Sequence, residues 1–306
     1  MNIVALAGGV GGAKLVDGLA QALSPENLAV IVNTGDDFEH LGLLISPDLD
    51  TICYTLAGLA NPETGWGRDA DTFKALENIR KLGGPDWFNI GDQDLGNHLE
   101  RTRRRRSGQS LSGVTNDFCM AWGIKQTVLP MSNELVQTMV DTEEFGELAF
   151  QEYFVHRKCE PKVKGFRFAG SENAHPAPGV LDAIRSADAV IFCPSNPWVS
   201  IDPILAVPGI RQAIVQLPII AVSPIIGGVA IKGPAAKMFR ELGIEPSALS
   251  VAIHYRDLLN SFILDNVDSE LIKESPIPAY ATNTLMRSRE DRRRLAEDVL
   301  HLIRAK

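Results

Sequence analysis

Short apolar runs alternate with longer segments whose apolar residues recur every three or four positions along most of the chain. The short runs are typical of buried strands, and the periodic segments are typical of helices with one buried face. The predicted strands are Ile3–Ala7, Leu28–Asn33, Thr127–Pro130, Ala189–Pro194, Ile219–Ser223 and Leu249–His254. The predicted helices are Gly12–Leu23, Asp48–Leu59, Ala70–Lys81, Asp92–Arg106, Gly113–Trp122, Gly179–Ser186, Pro234–Leu242 and Arg289–Arg304. This alternation predicts an α/β fold whose mainly parallel sheet is covered by helices on both faces.

The middle of the chain interrupts this alternation. Leu135–Asp141 and Leu148–Val155 have polar and apolar residues at period two around an acidic turn, which predicts an antiparallel hairpin. The sequence shows no internal repeat, low-complexity tract or long linker. We therefore expect a single elaborated α/β domain over residues 1–306, with an inserted hairpin region at about 131–170.

Composition excludes several classes of protein. With 45% hydrophobic and 22% charged residues, the 306-residue chain resembles an ordinary globular protein. No apolar run approaches the roughly 20 residues of a membrane span, and no secretory signal pattern opens the chain, so we expect a cytoplasmic location and no membrane contact. The net charge of −8 argues against nucleic-acid binding. The four cysteines form no C-x-x-C pair, which predicts buried free thiols.

The first predicted strand runs into a glycine-rich turn, "ALAGGVGGAKL", followed by a helix. The turn contains Gly8, Gly9, Gly11 and Gly12. Such a turn in a Rossmann-like sheet lets backbone N–H groups approach an anion at the positive end of the helix. Lys14 stands where the dinucleotide fingerprint has its third glycine, and Ala-Lys-Leu replaces the Gly-Lys-Ser/Thr of a Walker loop. The pattern therefore indicates either an uncommon phosphate site or a tight turn without a ligand.

Four carboxylates are expected near the same edge of the sheet. "NTGDD" ends the second strand and "SPDLDT" opens the next helix, and together they contain Asp36, Asp37, Asp48 and Asp50. Aspartate at a helix start is also explained by capping. Unpaired carboxylates here would repel one another and an anionic substrate, and a divalent cation would relieve that repulsion. Oxygen ligands beside substrate phosphates suit magnesium.

Other segments at predicted strand or helix ends offer further candidates. "NIGDQDLGNHLERT" places His98 near a helix start, where packing or capping explains it as well as catalysis does. Trp198, in "PSNPWVSIDPIL", fits ligand stacking and core packing equally well. The arginines of Arg101–Arg106 would offset the negative end of a helix dipole, with contact to an anionic substrate or another subunit as the alternative.

Taken together, "GGVGGAKL", "NTGDDFEHLGLLISPDLDT", "WFNIGDQDLGNHLERT", "PMSNE", "SNPWVSIDPIL", "SPIIGGVAIKGPAAK" and "NTLM" resemble the 2-phospho-L-lactate transferase family of coenzyme F-420 biosynthesis. The similarity runs from residue 1 to about residue 286. It implies that a guanosine diphosphate-linked donor gives a phospholactyl or phosphoenolpyruvyl group to the deazaflavin Fo, that GMP leaves, and that Mg2+ is required. It also suggests a homodimer.

The resemblance implies roles for particular residues. It places the Gly8–Gly12 loop and the turn Ser195, Asn196 and Pro197 in the nucleotide and phosphate site. Asp36 and Asp50 become magnesium ligands, Asp48 and Asp50 become catalytic residues, and Asp50 matches the family's deazaflavin contact. Further predicted substrate-binding residues are Lys14, Thr34, Asp37, Asn89, Asp92, Asp94, Gly227, Gly228 and Lys232. Asn89 and Gln93 replace basic residues of other family members, so Lys14, Lys232 or Arg101–Arg106 would supply the positive charge.

Two other functions fit parts of the pattern. Relatives of this fold resemble regulatory proteins that bind a UDP-sugar without phosphotransfer, although the segments "SNPWVSIDPIL" and "SPIIGGVAIKGP" favour the transferase. A nicotinamide-dependent dehydrogenase is disfavoured by the broken glycine fingerprint and by the extra carboxylates.

Overall fold

The structure is a computed structural model that describes residues Met1–Ala305. Its strands are β1 (Ile3–Ala7), β2 (Leu28–Val32), β3 (Phe38–His40), β4 (Leu43–Ile45), β5 (Thr127–Pro130), β6 (Gln137–Thr142), β7 (Gly146–Ala149), β8 (Val163–Ala169), β9 (Ala189–Phe192), β10 (Ile219–Val222), β11 (Ile225–Ile226), β12 (Val229–Ala230), β13 (Ser261–Asp265) and β14 (Ala279–Thr282). Its α-helices are α1 (Gly9–Ala22), α2 (Pro47–Leu56), α3 (Lys74–Lys81), α4 (Asp92–Arg106), α5 (Leu111–Ala121), α6 (Val180–Arg185), α7 (Asp202–Ala206), α8 (Ile210–Ile214), α9 (Ala235–Glu241), α10 (Ala248–His254) and α11 (Arg289–Arg304).

Seven parallel strands form the central sheet in the order β14-β13-β10-β9-β1-β2-β5. Side chains alternate across β1: Ile3 and Ala5 pack in the core under α1 and α11, whereas Val4 and Leu6 pack in the core on the opposite face. A buried strand with apolar residues on both faces needs helices on both sides. The predicted α/β fold with a mainly parallel sheet is therefore confirmed.

The inserted region forms a three-stranded antiparallel sheet in the order β7-β6-β8. The predicted hairpin corresponds to β6 and β7, but the second strand ends at Ala149, and Glu152–His156 forms a single π-helical turn. The backbone N–H of Thr138 in β6 donates to the carbonyl of Gly35 at 2.8 Å, which ties the insertion to the loop after β2. The single domain over residues 1–306 stays a prediction.

The predicted strand Leu249–His254 is wrong, because this segment is helix α10. Ser247 caps the helix by accepting the backbone N–H of Ser250 at 3.0 Å, and the buried residues Ala248, Val251 and Ala252 follow helical spacing. The strand that lies next to β10 is β13, and β14 follows it at the edge. Neither strand was predicted.

Chain order places a crevice between β1 and β9. From β1 the sheet continues through β2 to β5 in one direction, and from β9 through β10, β13 and β14 in the other. In open α/β sheets this reversal leaves a ligand-binding crevice beyond the carboxyl ends of the two strands. Among the described helices, none combines the length and apolar character that crossing a membrane requires.

The cysteines are free thiols, as predicted, although Cys159 is only half-buried. Cys53 on α2 and Cys119 on α5 are both buried, with their Sγ atoms 3.8 Å apart. Both belong to the same apolar core as the buried residues of α1.

Candidate active site

A cavity of about 770 Å³ opens at the carboxyl ends of the parallel strands. Its wall includes residues that follow β1, β2, β9, β10 and β14, together with parts of α2, α4 and the inserted region. The crevice expected from the strand order is therefore a cavity large enough for a small-molecule substrate.

The glycine loop is shaped as much by contacts within the protein as by room for an anion. A Cβ atom on Gly8 would lie 2.5 Å from the carboxylate of Asp48, and one on Gly11 would lie 2.3 Å from the carbonyl oxygen of Pro194. The Gly9 backbone N–H, in the first turn of α1, donates to Asp48 Oδ1 at 2.7 Å. Asp48 therefore occupies part of the helix N-terminus that the sequence assigned to phosphate.

Asp36 and Asp48 share one amide. Asn33 Nδ2 donates to Asp36 Oδ1 at 3.2 Å and to Asp48 Oδ2 at 2.9 Å. Both carboxyls are buried, at 6% and 5% exposed, and no described basic side chain forms an ion pair with them. Burial raises the pKa of Asp48 to about 6, and burial together with the charge of Asp48 raises the pKa of Asp36 well above its usual range. These two carboxylates lack a compensating positive charge.

Asp50 lies in a separate network on α2 and α4. The guanidinium of Arg101 is 3% exposed and forms a close ion pair with Asp50 Oδ1. It also donates to His98 Nδ1 at 3.1 Å, so His98 carries its proton on Nε2, which lies 3.4 Å from Asp94 Oδ2. Asp50 Oδ2 is buried and has no hydrogen-bond partner among the described residues.

The charge on Asp50 reflects two opposing effects. Burial raises the pKa of the Asp50 carboxyl, and the nearby Arg101 guanidinium opposes that rise. Asp94, at the start of α4, accepts the Tyr54 hydroxyl at 2.5 Å. Although burial opposes it, hydrogen bonding from His98 and from the Tyr54 hydroxyl, with the charge of Arg101, leaves the pKa of Asp94 below its usual value.

One wall of the cavity is apolar and aromatic, and it is formed by Phe88, Phe150 and Phe154. Tyr54 and Trp66 line other parts of the cavity, Tyr54 beside Asp94. Phe150 and Phe154 belong to the inserted region, and their rings stack with centroids 5.3 Å apart. This wall offers a planar aromatic molecule contact area that the acidic floor does not.

Most of the predicted site residues meet at this cavity. Those that line it are Gly8, Gly9, Gly11, Lys14, Asp36, Asp48, Asp50, Asn89, Asp94, Ser195, Asn196 and Lys232. Ser195 Oγ donates to the carbonyl of Gly8 at 2.8 Å, which joins the loops after β1 and β9. The roles assigned to these residues stay predictions.

The other predicted site residues lie outside the cavity wall: Gly12, Thr34, Asp37, Asp92, Pro197, Gly227 and Gly228. Asp37 accepts the Ser46 hydroxyl at 2.7 Å, behind the site. Asp92 accepts the backbone N–H groups of Lys74 and Ala75 at the start of α3, which explains why this helix begins later than predicted. Gly227 and Gly228 form the turn between β11 and β12 with φ of 56° and 76°.

Trp198 belongs to the core. It is 8% exposed, and its ring packs against Phe239 at 4.3 Å and Phe166 at 5.7 Å between centroids. Arg103 and Arg104 pair with Glu100, while Arg105 and Arg106 donate to backbone carbonyls. Only Arg101 of this run reaches the site, through Asp50.

Sequence reasoning assigned no role to the aromatic wall or to the segment that follows β14, although the resemblance included "NTLM" at residues 283–286. Thr284, Leu285, Met286 and Arg287 line the cavity. Because β13 and β14 were not predicted, nothing in the periodicity marked residues 283–288 as a strand terminus. The i, i+4 spacing of Phe150 and Phe154 was the available signal for the aromatic pair.

The donor set fits a hard divalent cation. The carboxyls of Asp36 and Asp48 are buried, their pKa values are raised, and neither forms an ion pair with a described basic side chain. Asp50 Oδ2 has no hydrogen-bond partner among the described residues. Oxygen ligands of this kind are those that magnesium prefers. Ligand atoms of Asp50, Asp94 and His98 also lie within 4.8 Å of one another, but Arg101 already neutralises Asp50 there. The pair Asp36 and Asp48 is therefore the better position for a cation.

Sequence comparisons link the chain to one enzyme family. The family model described as 2-phospho-L-lactate transferase CofD matches residues 3–306. A phosphoenolpyruvate transferase of Streptomyces griseus is 45% identical over 281 residues, covering 90% of this chain and 88% of that protein. A 2-phospho-L-lactate transferase of Methanocaldococcus jannaschii is 38% identical over 301 residues, covering 97% of both.

The fold is also found in a solved structure. A crystal structure of a UPF0052 family member from Bacillus halodurans superposes with a TM-score of 0.65 and covers 98% of each chain. Its sequence is 16% identical to this one, so the likeness concerns the fold.

Proposed function

This chain belongs to the 2-phospho-L-lactate transferase family, whose members are transferases of coenzyme F-420 biosynthesis, and we propose that it uses the following two substrates. A guanosine diphosphate-linked donor gives its phospholactyl or phosphoenolpyruvyl group to the terminal ribityl hydroxyl of the deazaflavin Fo. The oxygen of that hydroxyl forms a bond to the phosphorus that carries the three-carbon acid, the bond from this phosphorus to the bridging oxygen breaks, and GMP leaves with that oxygen. The relatives named phosphoenolpyruvate transferases are the more similar ones, at 45% against 38%, so the phosphoenolpyruvyl donor is the first to test.

The observation that carries the proposal is the uncompensated carboxylate pair at the crevice. Asp36 and Asp48 are buried beside the N-terminus of α1 and share the amide of Asn33. Left alone, the pair would repel an anionic donor. With magnesium held by Asp36 and Asp48, the same position would attract a diphosphate, and the ion would stabilise the negative charge that develops on the leaving phosphate.

The first turn of α1 supports donor binding. Val10 and Gly11 line the cavity in this turn, whose N–H groups have no carbonyl partner within the helix. Ser195 and Asn196 line the cavity from the adjoining loop after β9, which the Ser195 hydroxyl joins to Gly8. A phosphate bound at the cavity edge that the two loops share would be placed by backbone dipoles and small polar groups.

The aromatic wall supports the acceptor. A tricyclic deazaflavin is planar and largely apolar, which suits the faces of Phe88, Phe150 and Phe154. Its polar ribityl chain would then extend toward the carboxylates. This arrangement brings the terminal hydroxyl and the donor phosphorus together, and alignment of two bound reactants supplies much of the rate enhancement in phosphoryl transfer.

Asp50 is the residue we propose to orient the hydroxyl and accept its proton. Both oxygens of Asp48 already have hydrogen-bond partners, in Gly9 and Asn33, whereas Asp50 Oδ2 has none among the described residues. The Arg101 ion pair holds the other oxygen of Asp50 in place. A carboxylate fixed at one oxygen and free at the other is suited to general-base catalysis.

The test is a reconstituted reaction with magnesium, Fo and each of the two donors, followed by mass spectrometry of the deazaflavin product and chromatography of GMP. We expect equal amounts of phospho-acylated Fo and GMP. No product with either donor, together with thermal stabilisation by UDP-N-acetylglucosamine but not by Fo or GDP, would instead support the sugar-nucleotide-binding function.

Matched variants test the assignment of the carboxylates. Asp36→Asn and Asp50→Asn should each lower kcat by at least about 100-fold, because each removes charge at the reacting groups. Glu39→Gln, an exposed carboxylate on β3, is the control and should retain wild-type kcat. Turnover of Asp50→Asn close to that of Glu39→Gln would contradict the role of Asp50.

A further inference from the structure

The cavity has a basic end as well as an acidic floor. Lys14 on α1, Lys232 after β12 and Arg287 before α11 line it from three separate segments. None of these three side chains forms an ion pair with a carboxylate in the part of the chain that the structure describes. Lys14 is half-buried and the other two are exposed, so all three present positive charge to the cavity that no described carboxylate pairs with.

The two lysines are held by neutral groups. Lys14 Nζ donates to the carbonyl of Met286 at 2.9 Å, and Lys232 Nζ donates to the carbonyl of Thr64. Burial lowers the pKa of Lys14, and the positive charges of Arg292 and Lys232 lower it further. Like charges brought together without a carboxylate favour an anion among them.

Arg287 differs from its neighbours in having a free guanidinium. Within the described residues its side chain makes no hydrogen bond or ion pair. By contrast, Arg289 and Arg292 pair with Asp17, and Arg293 pairs with Glu297. A free guanidinium on a cavity wall has the fork of donors that binds carboxylate or phosphate oxygens in pairs.

The backbone around Arg287 is fixed at several points. The N–H and hydroxyl of Thr284 both donate to Asp265 Oδ2, at 2.8 and 3.0 Å. The carbonyl of Met286 accepts a hydrogen bond from Lys14 Nζ, and the backbone N–H of Arg287 donates to Asp291 Oδ2 at 3.0 Å. The segment thus presents an exposed side chain, without a hydrogen bond or ion pair among the described residues, from an anchored backbone on the cavity wall.

We infer that Arg287 is a specificity-determining residue that binds an anionic group of the donor, at the basic end formed with Lys14 and Lys232. The inference rests on the proposed function for the identity of the donor. The donor carries two such groups, the carboxylate of its three-carbon acid and the diphosphate. Both offer the paired oxygens that a guanidinium recognises.

The test compares Arg287→Ala and Arg287→Lys with the control Arg293→Ala, an exposed arginine of α11 outside the cavity wall. A lost charge-assisted hydrogen bond predicts that Arg287→Ala raises KM for the donor by about 10- to 100-fold. KM for Fo should stay within about twofold, because the inference places Arg287 at the donor and the proposed function places the acceptor against the aromatic side chains. Arg287→Lys should lie between, and Arg293→Ala should match the wild type.

Calorimetry with GDP and magnesium distinguishes the two anionic groups. Weaker GDP binding to Arg287→Ala, by the same factor as the rise in donor KM, identifies the diphosphate. Unchanged GDP binding with a raised donor KM identifies the carboxylate. Donor KM and GDP affinity both within twofold of wild type overturn the inference.

Failure of the proposed function gives a different result. If the wild-type protein forms no product with either donor, the transferase proposal fails. Binding of GDP and of inorganic pyrophosphate then tests separately whether Arg287 contacts an anion. Weaker binding of either anion to Arg287→Ala than to Arg293→Ala supports the anion contact, and equal binding of both overturns it.

Discussion

The buried ion pair between Arg101 and Asp50 leads to a prediction about stability. We expect Arg101→Met to lower the free energy of unfolding by about 3–5 kcal/mol, because it leaves the carboxylate of Asp50 buried without its counterion. We expect a loss in the upper part of this range, since Arg101 is only 3% exposed and Asp50 only 6% exposed. Methionine has nearly the helix propensity of arginine, so α4 itself should be little affected.

Arg103 supplies the matched control two residues along the same helix. Its side chain is 67% exposed and pairs with Glu100, an arrangement that contributes about 0–1 kcal/mol. Arg103→Met should therefore lower the free energy of unfolding by less than about 1 kcal/mol. Urea unfolding of both variants, without magnesium or substrates, gives the comparison directly.

A double-mutant cycle separates the ion pair from packing. Asp50→Asn in the Arg101→Met background removes the uncompensated charge and should recover at least about 1.5 kcal/mol of the loss. Equal losses for Arg101→Met and Arg103→Met, or no coupling between positions 50 and 101, would refute the view that Asp50 is held as a compensated carboxylate.

Four further predictions concern stability. Burial raises the pKa of Asp48 to about 6, so between about pH 4 and 6 the folded protein binds more protons than the unfolded chain and loses stability as pH rises. Asp48→Asn should reduce that loss in urea unfolding measured across this range, and an unchanged slope would contradict it. Gly11→Ala should destabilise the protein by about 1–3 kcal/mol in thermal unfolding, because its Cβ would lie 2.3 Å from the Pro194 carbonyl oxygen. Gly96→Ala, with open space around its Cβ in α4, should stabilise it by about 0.5–1 kcal/mol. Trp198→Ala should cost about 3–5 kcal/mol in urea unfolding yet leave KM for Fo within twofold, and a large rise in that KM would place the ring at the ligand instead.

The sheet was largely predictable because its strands are buried on both faces. Ile3–Ala7 and Ala189–Phe192 are short apolar runs bounded by turn residues, and such runs have few alternative structures. The prediction of a strand over Leu249–His254 was wrong because a short apolar segment fits a strand and a helix equally well. The Ser247 cap, which decides the question, is visible only as a single polar residue in the sequence.

The candidate site was predictable where residues follow a recognised strand. Gly8, Asp36 and Ser195 come within four residues of the ends of β1, β2 and β9, so the parallel topology brings them together. Arg287 and Phe150 reach the cavity from segments whose position depends on tertiary packing. The hydrogen bond from the Gly9 N–H to Asp48 could likewise not be predicted from the sequence, because the two residues are 39 positions apart and belong to different helices.

The anchoring of α11 on α1 determines when the cavity is complete during synthesis. Asp17, 2% exposed, pairs with Arg289 and Arg292, and Lys14 beside the glycine loop bonds to Met286. A nascent chain must therefore emerge to beyond residue 292 before α1 gains these partners. Until then the cavity beside the glycine loop lacks one of its walls. Such long-range closure slows folding relative to local contacts. A ribosome-bound chain that ends before residue 284 should accordingly lack the donor site even if the first five strands have paired.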